Sequence, residues 1–399
     1  MSYRSEFNPS IDTVILDAVR TPIGRFRGSL SDVRADHLAS ALLQRLSERT
    51  GIDGEVVNDV VLGCVTQVGE QCGNIARTAL LGAGWPTNIP GMTVDRKCGS
   101  SEAAIHVAAA QIWSGVSTVV VAGGAESMSR VPMGGNRDVH GDPFGWRVLE
   151  RAELVSQGEA AERIADMWGF SRSELDEFAV NSHRRAARAA ESGYFENEIE
   201  PVTLRDWSES RAPEEAVIFD KDETIRPQTN AEKLSELKSV FRPDGKMTAG
   251  NSSQISDGAA VLLLASAEFA KHNGLKQRAR IRSVATVGSD PTLMLTGPIE
   301  ATRQALHKAG LNAADIDLFE VNEAFAPVPL MWMAETGAAE DKTNVNGGAI
   351  ALGHPLGASG ARIMTSLLNE LERRDATFGL QTVCCAGGLA TATIIERFE

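Results

Sequence analysis

Cysteine is scarce in this chain: 399 residues carry five, Cys64, Cys72, Cys98, Cys384 and Cys385. An odd, thinly spread set without paired metal-ligand spacing speaks against a disulfide scaffold and a cysteine-built metal site. It points to reduced thiols, as in cytosol. No apolar run approaches the roughly 20 residues of a membrane-spanning helix. Positive charge is short as well. Lys and Arg number 39 against 53 Asp and Glu, a net charge of −14, which argues against nucleic acid and anionic membrane as partners. The opening "MSYRSEFNPSIDTV" has no apolar core and carries an acid early, so neither a secretory leader nor a transit peptide is expected. The closing "ERFE" is no peroxisomal address, and a cytoplasmic location is expected.

What is present is apolar content of 43% with 37 glycines, the composition of a globular α/β protein of two or three domains. Three pairs of segments recur in order. Strand patterns begin at Asp59 and Asp317; "VVVAGGAESMS" with Gly123 and Gly124 answers "TVCCAGGLATA" with Gly387 and Gly388; the Cys98 segment answers the His354 segment. The offsets are 317 − 59 = 258, 354 − 98 = 256 and 387 − 123 = 264. Near-constant spacing indicates a duplicated α/β unit. Residues 131–255 interrupt the repeat with charged, Arg- and Glu-rich sequence, including a helix opened by the capping box Ser171 and Glu174. They are expected to form an inserted loop domain over one end of the first half. The domain reading is therefore 1–130, completed by 256–277; 131–255; and 278–399.

"VDRKCGSSEAAIHVAAAQI" sets Cys98 at the mouth of a helix apolar on nearly every side, and such a helix is buried. Packing is the ordinary use of a free cysteine; a thiolate stabilised by the unpaired N–H groups of a helix start is the other. "GGAIALGHPLGASGAR" surrounds His354 with glycines, which let a backbone turn sharply and approach a ligand. A Cys–His pair raises the thiolate fraction of the thiol, and the repeat makes Cys98 and His354 counterparts. "TVCCAGG" ends a strand at a glycine turn, and "EVNEAFAPV" puts Asn322 at another strand end. Asn322 there either donates to a ligand or caps the next helix. Within 221–246 basic residues exceed acids by one, which suits an anionic ligand and a solvated surface about equally.

Together "DRKCGSS", "VAGGAESMS", "TAGNSSQISDGAA", "NEAFAPV", "NGGAIALGHPLGASGAR" and "TVCCAGG" resemble the thiolase family, the acetyl-CoA acyltransferases, from Val14 to Arg397. The resemblance implies a five-layer αβαβα sandwich of two duplicated halves with an inserted loop domain, assembled as a homodimer or homotetramer. It implies 3-ketoacyl-CoA thiolysis, as in fatty acid β-oxidation, with acyl-CoA and coenzyme A as substrates, no cofactor and no metal. Cys98 would be the acylated nucleophile, activated by His354, whose N–H then holds a thioester oxygen. Cys384 would be the acid/base thiol. Asn322 would orient a water completing the first oxyanion hole with His354, and the N–H groups of Cys98 and Ala386 would form the second. Arg226, Ala249 and Ser253 would line the coenzyme A channel, with Phe325 beside the pantetheine arm.

Two departures bear on function. The family usually shows one cysteine followed by several glycines, whereas this chain has Cys384-Cys385-Ala386. Cys384 is chosen because 384 − 354 = 30 fits the family's His-to-Cys spacing. Gln157 stands where short-chain acetoacetyl enzymes carry a pocket-limiting methionine, which favours a degradative enzyme for longer or bulkier chains. A short-chain biosynthetic thiolase is the alternative. A ketosynthase-type condensing enzyme would lack the second reactive cysteine, and a non-catalytic acyl-CoA-binding module would not need all four polar residues.

Overall fold

In the computed structural model, which describes residue 8 and residues 10–137, 140–210 and 217–398, a single mixed sheet links both ends of the chain. Its longer strands are β1 (Thr13–Arg20), β2 (Asp59–Gly63), β3 (Gly91–Val94), β4 (Val119–Ser127), β5 (Ser256–Ser266), β6 (Ala279–Gly288), β7 (Leu318–Val321), β8 (Phe378–Cys385) and β9 (Leu389–Arg397). Their order is β7-β8-β9-β6-β1-β5-β4-β2-β3. From the centre outward, β1-β5-β4-β2 is mirrored by β6-β9-β8-β7. On each side the inner pairs are antiparallel and the outer pair parallel. The halves join at β1 and β6 through the pairs Val14↔Arg280 and Ile15↔Ala279. The repeat in the sequence is this two-fold arrangement of strands.

The main helices are α1 (Ala35–Thr50), α2 (Ile75–Gly82), α3 (Ser100–Trp113), α4 (Gln157–Met167), α5 (Arg172–Glu191), α6 (Gly297–Ala309), α7 (Pro327–Thr336) and α8 (Ser359–Arg374). Strand alternation sorts them into layers. In β5, Val261, Leu263 and Ala265 pack with Leu38 and Leu42 of α1 and Leu80 of α2. The intervening Ala260, Leu262 and Leu264 pack with Ile105 and Ala108 of α3 and Met364, Leu367 and Leu368 of α8. In β9, Ala390, Ala392 and Ile394 meet Ala301 and Ala305 of α6 and Trp332 of α7, while Thr391 and Thr393 face Glu102 of α3. The layers run α1/α2, half-sheet, α3/α8, half-sheet, α6/α7, the expected five. Each fully buried Leu, Ile or Met contributes about 1.5–3 kcal/mol, so Ile363, Met364, Leu367, Leu368 and Leu371, all at most 1% exposed, fix the register of α8.

The two central helices touch at their first turns. A Cβ on Gly360 would lie 2.5 Å from the Glu102 backbone nitrogen, and the Ala361 N–H donates to Ser101 Oγ at 2.9 Å. Whatever precedes α3 and α8 in the chain is thereby brought to one place. The segment between β4 and β5 begins α5 with the capping box of Ser171 and Glu174. It covers both halves rather than the first alone: Val202, Leu204 and Trp207 pack on the first half, while Ala160, Ile164, Leu175 and Ala179 of α4 and α5 pack on Phe325, Val328 and Met331 of the second half. The apolar face of α4 lies against α7. The later part of the segment reaches the first half, where Glu198 accepts from the Arg20 backbone.

Candidate active site

Between β3 and α3 the chain turns sharply at Lys97, whose φ is 51°. A left-handed backbone costs a non-glycine residue about 1–2 kcal/mol. Ser100 secures the turn by accepting the Arg96 N–H at 2.8 Å and donating to the Lys97 carbonyl at 2.6 Å. Gly99 follows because a side chain does not fit: its Cβ would lie 2.7 Å from Cys385 Sγ and 2.9 Å from Thr391 Oγ1. Cys98 is held just before the helix, 4% exposed. Burial pushes its thiol up to about 12, while the N–H groups of Cys98 and Ala386 and the charge of Lys97 favour the thiolate. Cys98 also packs against Val65, Met128 and Leu356, so packing and reactivity share one residue.

His354 precedes α8 as Cys98 precedes α3. Gly353 before it has φ 87°, and the His354 N–H donates to the Gln254 carbonyl and to Ser256 Oγ. Its Nδ1 lies 2.6 Å from Ser359 Oγ, and that hydroxyl donates its proton to the Pro355 carbonyl at 2.8 Å. With its one proton committed, Ser359 accepts, so Nδ1 carries the ring proton and Nε2 is the free base. Nε2 is buried and has no partner. Burial, with a smaller push from Arg362, lowers the imidazole to about 3, so the resting ring is neutral.

The second half supplies the rest from two adjacent strand ends. Asn322, after β7, donates its backbone N–H to the Thr382 carbonyl at 3.1 Å, and both polar atoms of its amide are buried without a partner. It does not cap α7, which Ala326 precedes. Burial raises the Cys384 thiol and the Cys98 sulfur adds to this, with the Asn322 amide and the Ala324 N–H opposing. Cys385 points to the opposite face of the strand, among Val65, Ile363 and Val383, and burial raises its thiol too. Ala386 keeps an ordinary backbone because the left-handed turns fall on Gly387 (φ 86°) and Gly388 (φ 74°).

Two buried carboxylates tie these loops together; the sequence places Glu323 beside Asn322 at a strand end without showing this role, and gives no sign of Glu126. Glu126 accepts from the N–H groups of Val65, Thr66 and Gly357 and from Gln71 Nε2, at 2.9–3.0 Å, joining the β2 end to the loop after His354. Glu323 accepts from Ser182 Oγ at 2.6 Å, Asn344 Nδ2 at 3.0 Å and the Ile350 N–H at 3.2 Å, joining α5 to the loop before His354. Ser359 was missed as well, although its place five residues after His354, at the end of the glycine-rich segment, was the available signal.

Four expected residues therefore lie together, Cys98 beside Ala386 and Cys384, and Cys384 beside Asn322, while His354 precedes the helix whose first turn touches that of α3. The others lie on the neighbouring loops and on α4. The exposed Arg226 donates to Gln254 Oε1 at 3.2 Å, and Gln254 Nε2 in turn binds the Ile350 carbonyl. Ser253 donates its N–H to the Ala324 carbonyl, and Ala249 is exposed nearby in sequence. Half-buried Gln157 begins α4; the next residue, Gly158, lies against Phe241, whose ring meets Phe325 edge-on at 5.8 Å. A thiol at a helix mouth, a free imidazole nitrogen, an unpaired amide and a second thiol, all shielded from water, suit nucleophilic attack by sulfur followed by proton transfer to carbon.

Residues 13–268 match the family model for the thiolase N-terminal domain and residues 275–397 that for the thiolase C-terminal domain. The chain is 44% identical over 396 residues to a steroid 3-ketoacyl-CoA thiolase of Mycobacterium tuberculosis, covering 97% of this chain and 94% of that protein. It is 47% identical over 392 residues to a 3-ketoacyl-CoA thiolase of Serratia proteamaculans, covering 97% and 99%. A crystal structure of the acetyl-CoA acetyltransferase of Bacillus anthracis superimposes with a TM-score of 0.90 at 42% identity, over 98% of this chain and 100% of that one.

Proposed function

The chain belongs to the thiolase family, and from that premise we propose that it cleaves 3-ketoacyl-CoA with coenzyme A, giving acetyl-CoA and a shortened acyl-CoA. His354 Nε2 takes the Cys98 proton as the sulfur attacks the C3 carbonyl carbon. The resulting oxyanion is held by the N–H groups of Cys98 and Ala386. Collapse breaks the C2–C3 bond, leaves the acyl group on Cys98 and expels the enolate of acetyl-CoA. The protonated His354 Nε2 and a water oriented by Asn322 stabilise the enolate oxygen, and the Cys384 thiol protonates C2. Coenzyme A then attacks the acyl thioester, giving its proton to the Cys384 thiolate, and Cys98 recovers its own from His354. Preorganised donors of this kind are worth about 2.7–4 kcal/mol each, and positioned acid/base groups about 10²–10⁴-fold.

The observation that carries this reading is the pair of buried, unpartnered groups, His354 Nε2 and the Asn322 amide. Unpaired buried polar atoms cost about 1–3 kcal/mol each and persist where a reacting group completes them. We assign a degradative role with medium-length or bulky acyl chains from Gln157, and the steroid enzyme among the relatives supports it. Coenzyme A is co-substrate, entering past Arg226, Ala249, Ser253 and Phe325. The same reading carries a homodimer or homotetramer working in the cytoplasm. Intact-mass spectrometry after quenching with 3-ketoacyl-CoA should show an acyl adduct that Cys98→Ala lacks. An adduct retained by that variant would refute the assignment.

A further inference from the structure

We propose that a second site, a cavity of about 540 Å³ between α5, the segment 341–345 and the end of α8, binds a polyphosphate chain, free or carried by a nucleotide. Arg184, Arg185, Arg188, Asp341, Val345 and Arg374 line it. Of these four guanidinium groups, Arg185 and Arg374 are paired with Glu340 and Glu370 behind them. That leaves Arg184 and Arg188 as cations without a carboxylate partner among the described residues, in a chain of net charge −14. A cleft lined with one sign of charge concentrates ligands of the other.

Three of the four arginines are held in place by one edge. Arg185 donates to the Thr343 carbonyl at 2.9 Å and to Glu340 Oε1 at 2.9 Å. Arg188 donates to the Val345 carbonyl at 2.9 Å, and Arg374 Nε to Glu370 Oε1 at 2.5 Å. Each keeps donors on its other nitrogens, and Arg184 makes no hydrogen bond or ion pair among the described residues. Arg184 and Arg188 are exposed one turn apart on α5, a spacing at which like charges cost about 0.2–0.5 kcal/mol. An anion between them removes that repulsion.

Arginine forks fit phosphate oxygens two at a time. Forks from two helices, spread around a cavity of this size, fit several linked phosphates better than a lone carboxylate. The site is separate from the coenzyme A channel. His183 accepts the Arg226 backbone N–H at 3.1 Å, and the side chains of positions 184 and 188 lie some 100–140° further around the helix.

Isothermal titration of the full-length protein with tripolyphosphate and, separately, with ATP tests this. Wild type is expected to bind tripolyphosphate, with affinity falling as salt rises. Binding should weaken at least tenfold in the double variant Arg184→Ser/Arg188→Ser and stay unchanged in Arg226→Ala. Arg184→Gln alone, at an exposed and unpaired side chain, should weaken it several-fold and guards against misfolding of the double variant. ATP binding tighter than tripolyphosphate identifies a nucleotide as the ligand; equal affinity identifies the phosphate chain alone. No binding by wild type, equal binding by the double variant, or loss confined to Arg226→Ala would overturn the proposal, the last by placing the phosphates in the coenzyme A channel.

Discussion

Ser359→Ala is the sharpest probe of the site, because the change removes one oxygen and nothing that touches substrate. Ser359 Oγ sits 2.6 Å from His354 Nδ1 and hands its own proton to the Pro355 carbonyl at 2.8 Å. That geometry fixes the ring proton on Nδ1 and leaves Nε2 to deprotonate Cys98. Without the hydroxyl, Nδ1–H is a buried donor with no acceptor, a penalty of about 1–3 kcal/mol. The ring escapes by moving its proton to Nε2, where it no longer acts as a base. At about 1.4 kcal/mol per factor of ten, the expected loss in kcat/KM is about 5- to 150-fold. The assay is the disappearance of 3-ketoacyl-CoA under saturating coenzyme A, run beside the rate of Cys98 alkylation by iodoacetamide. Both should fall together, since both report the same proton transfer. Wild-type rates within twofold in both would show that Ser359 does not set the tautomer, and the basic role of Nε2 would lose its structural support.

Cys384→Ser should slow turnover by about 10²–10⁴-fold, the worth of a positioned acid/base group, while leaving Cys98 alkylation intact. Cys385→Ser should stay within a few-fold of wild type, and the reverse pattern would move the acid/base role by one residue. Gly99→Ala drives a Cβ to 2.7 Å from Cys385 Sγ and should cost about 1–3 kcal/mol in urea unfolding; Cys385→Ala should restore part of it, and full additivity of the two changes would refute the clash. Burial raises the Glu102 carboxyl from 4.5 to about 7 against the hydroxyls of Thr391 and Thr393. Its contribution is complete below the ordinary value and is lost as pH rises through about 7, a swing on the order of 3 kcal/mol. Wild type should therefore lose stability relative to Glu102→Gln between pH 5 and 8, and parallel curves would refute this. For thiolysis, kcat/KM should rise from acetoacetyl-CoA toward medium or bulky 3-ketoacyl chains, by up to about fourfold per buried methylene; a flat or falling profile would identify a short-chain enzyme.

Much of this was legible in the sequence for physical reasons. A helix apolar on all sides has to be buried, so the central layer around α3 followed from "AAIHVAAAQI". Offsets near 258 residues required two copies of one unit, and the mirrored strand order is what two such copies make. His354 stood out because glycines gathered around one histidine serve no ordinary packing purpose, and Cys98 because it sits at a helix mouth and answers His354 in the repeat. What sequence could not supply was partnership across long separations. Nothing local in "AGGAES" says that Glu126 will accept from Gly357, 231 positions on. Nothing in the insertion's own pattern says which half its helices will cover, since an apolar stripe records that a partner exists and not who it is.

The mirrored arrangement of strands has a consequence for how such a site arises at all. Two equivalent helix mouths meet at the centre, one from each copy of the unit. While the copies are identical, symmetry permits only like facing like, thiol against thiol or imidazole against imidazole. A donor facing an acceptor needs the two mouths to differ. Joining the copies in one chain removes that restriction, because position 98 and position 354 then mutate separately. The asymmetry between sulfur and imidazole is in this sense a product of covalent linkage, and a chain cut between Leu275 and Arg278, on the loop joining the halves, should regain activity only when both pieces are present.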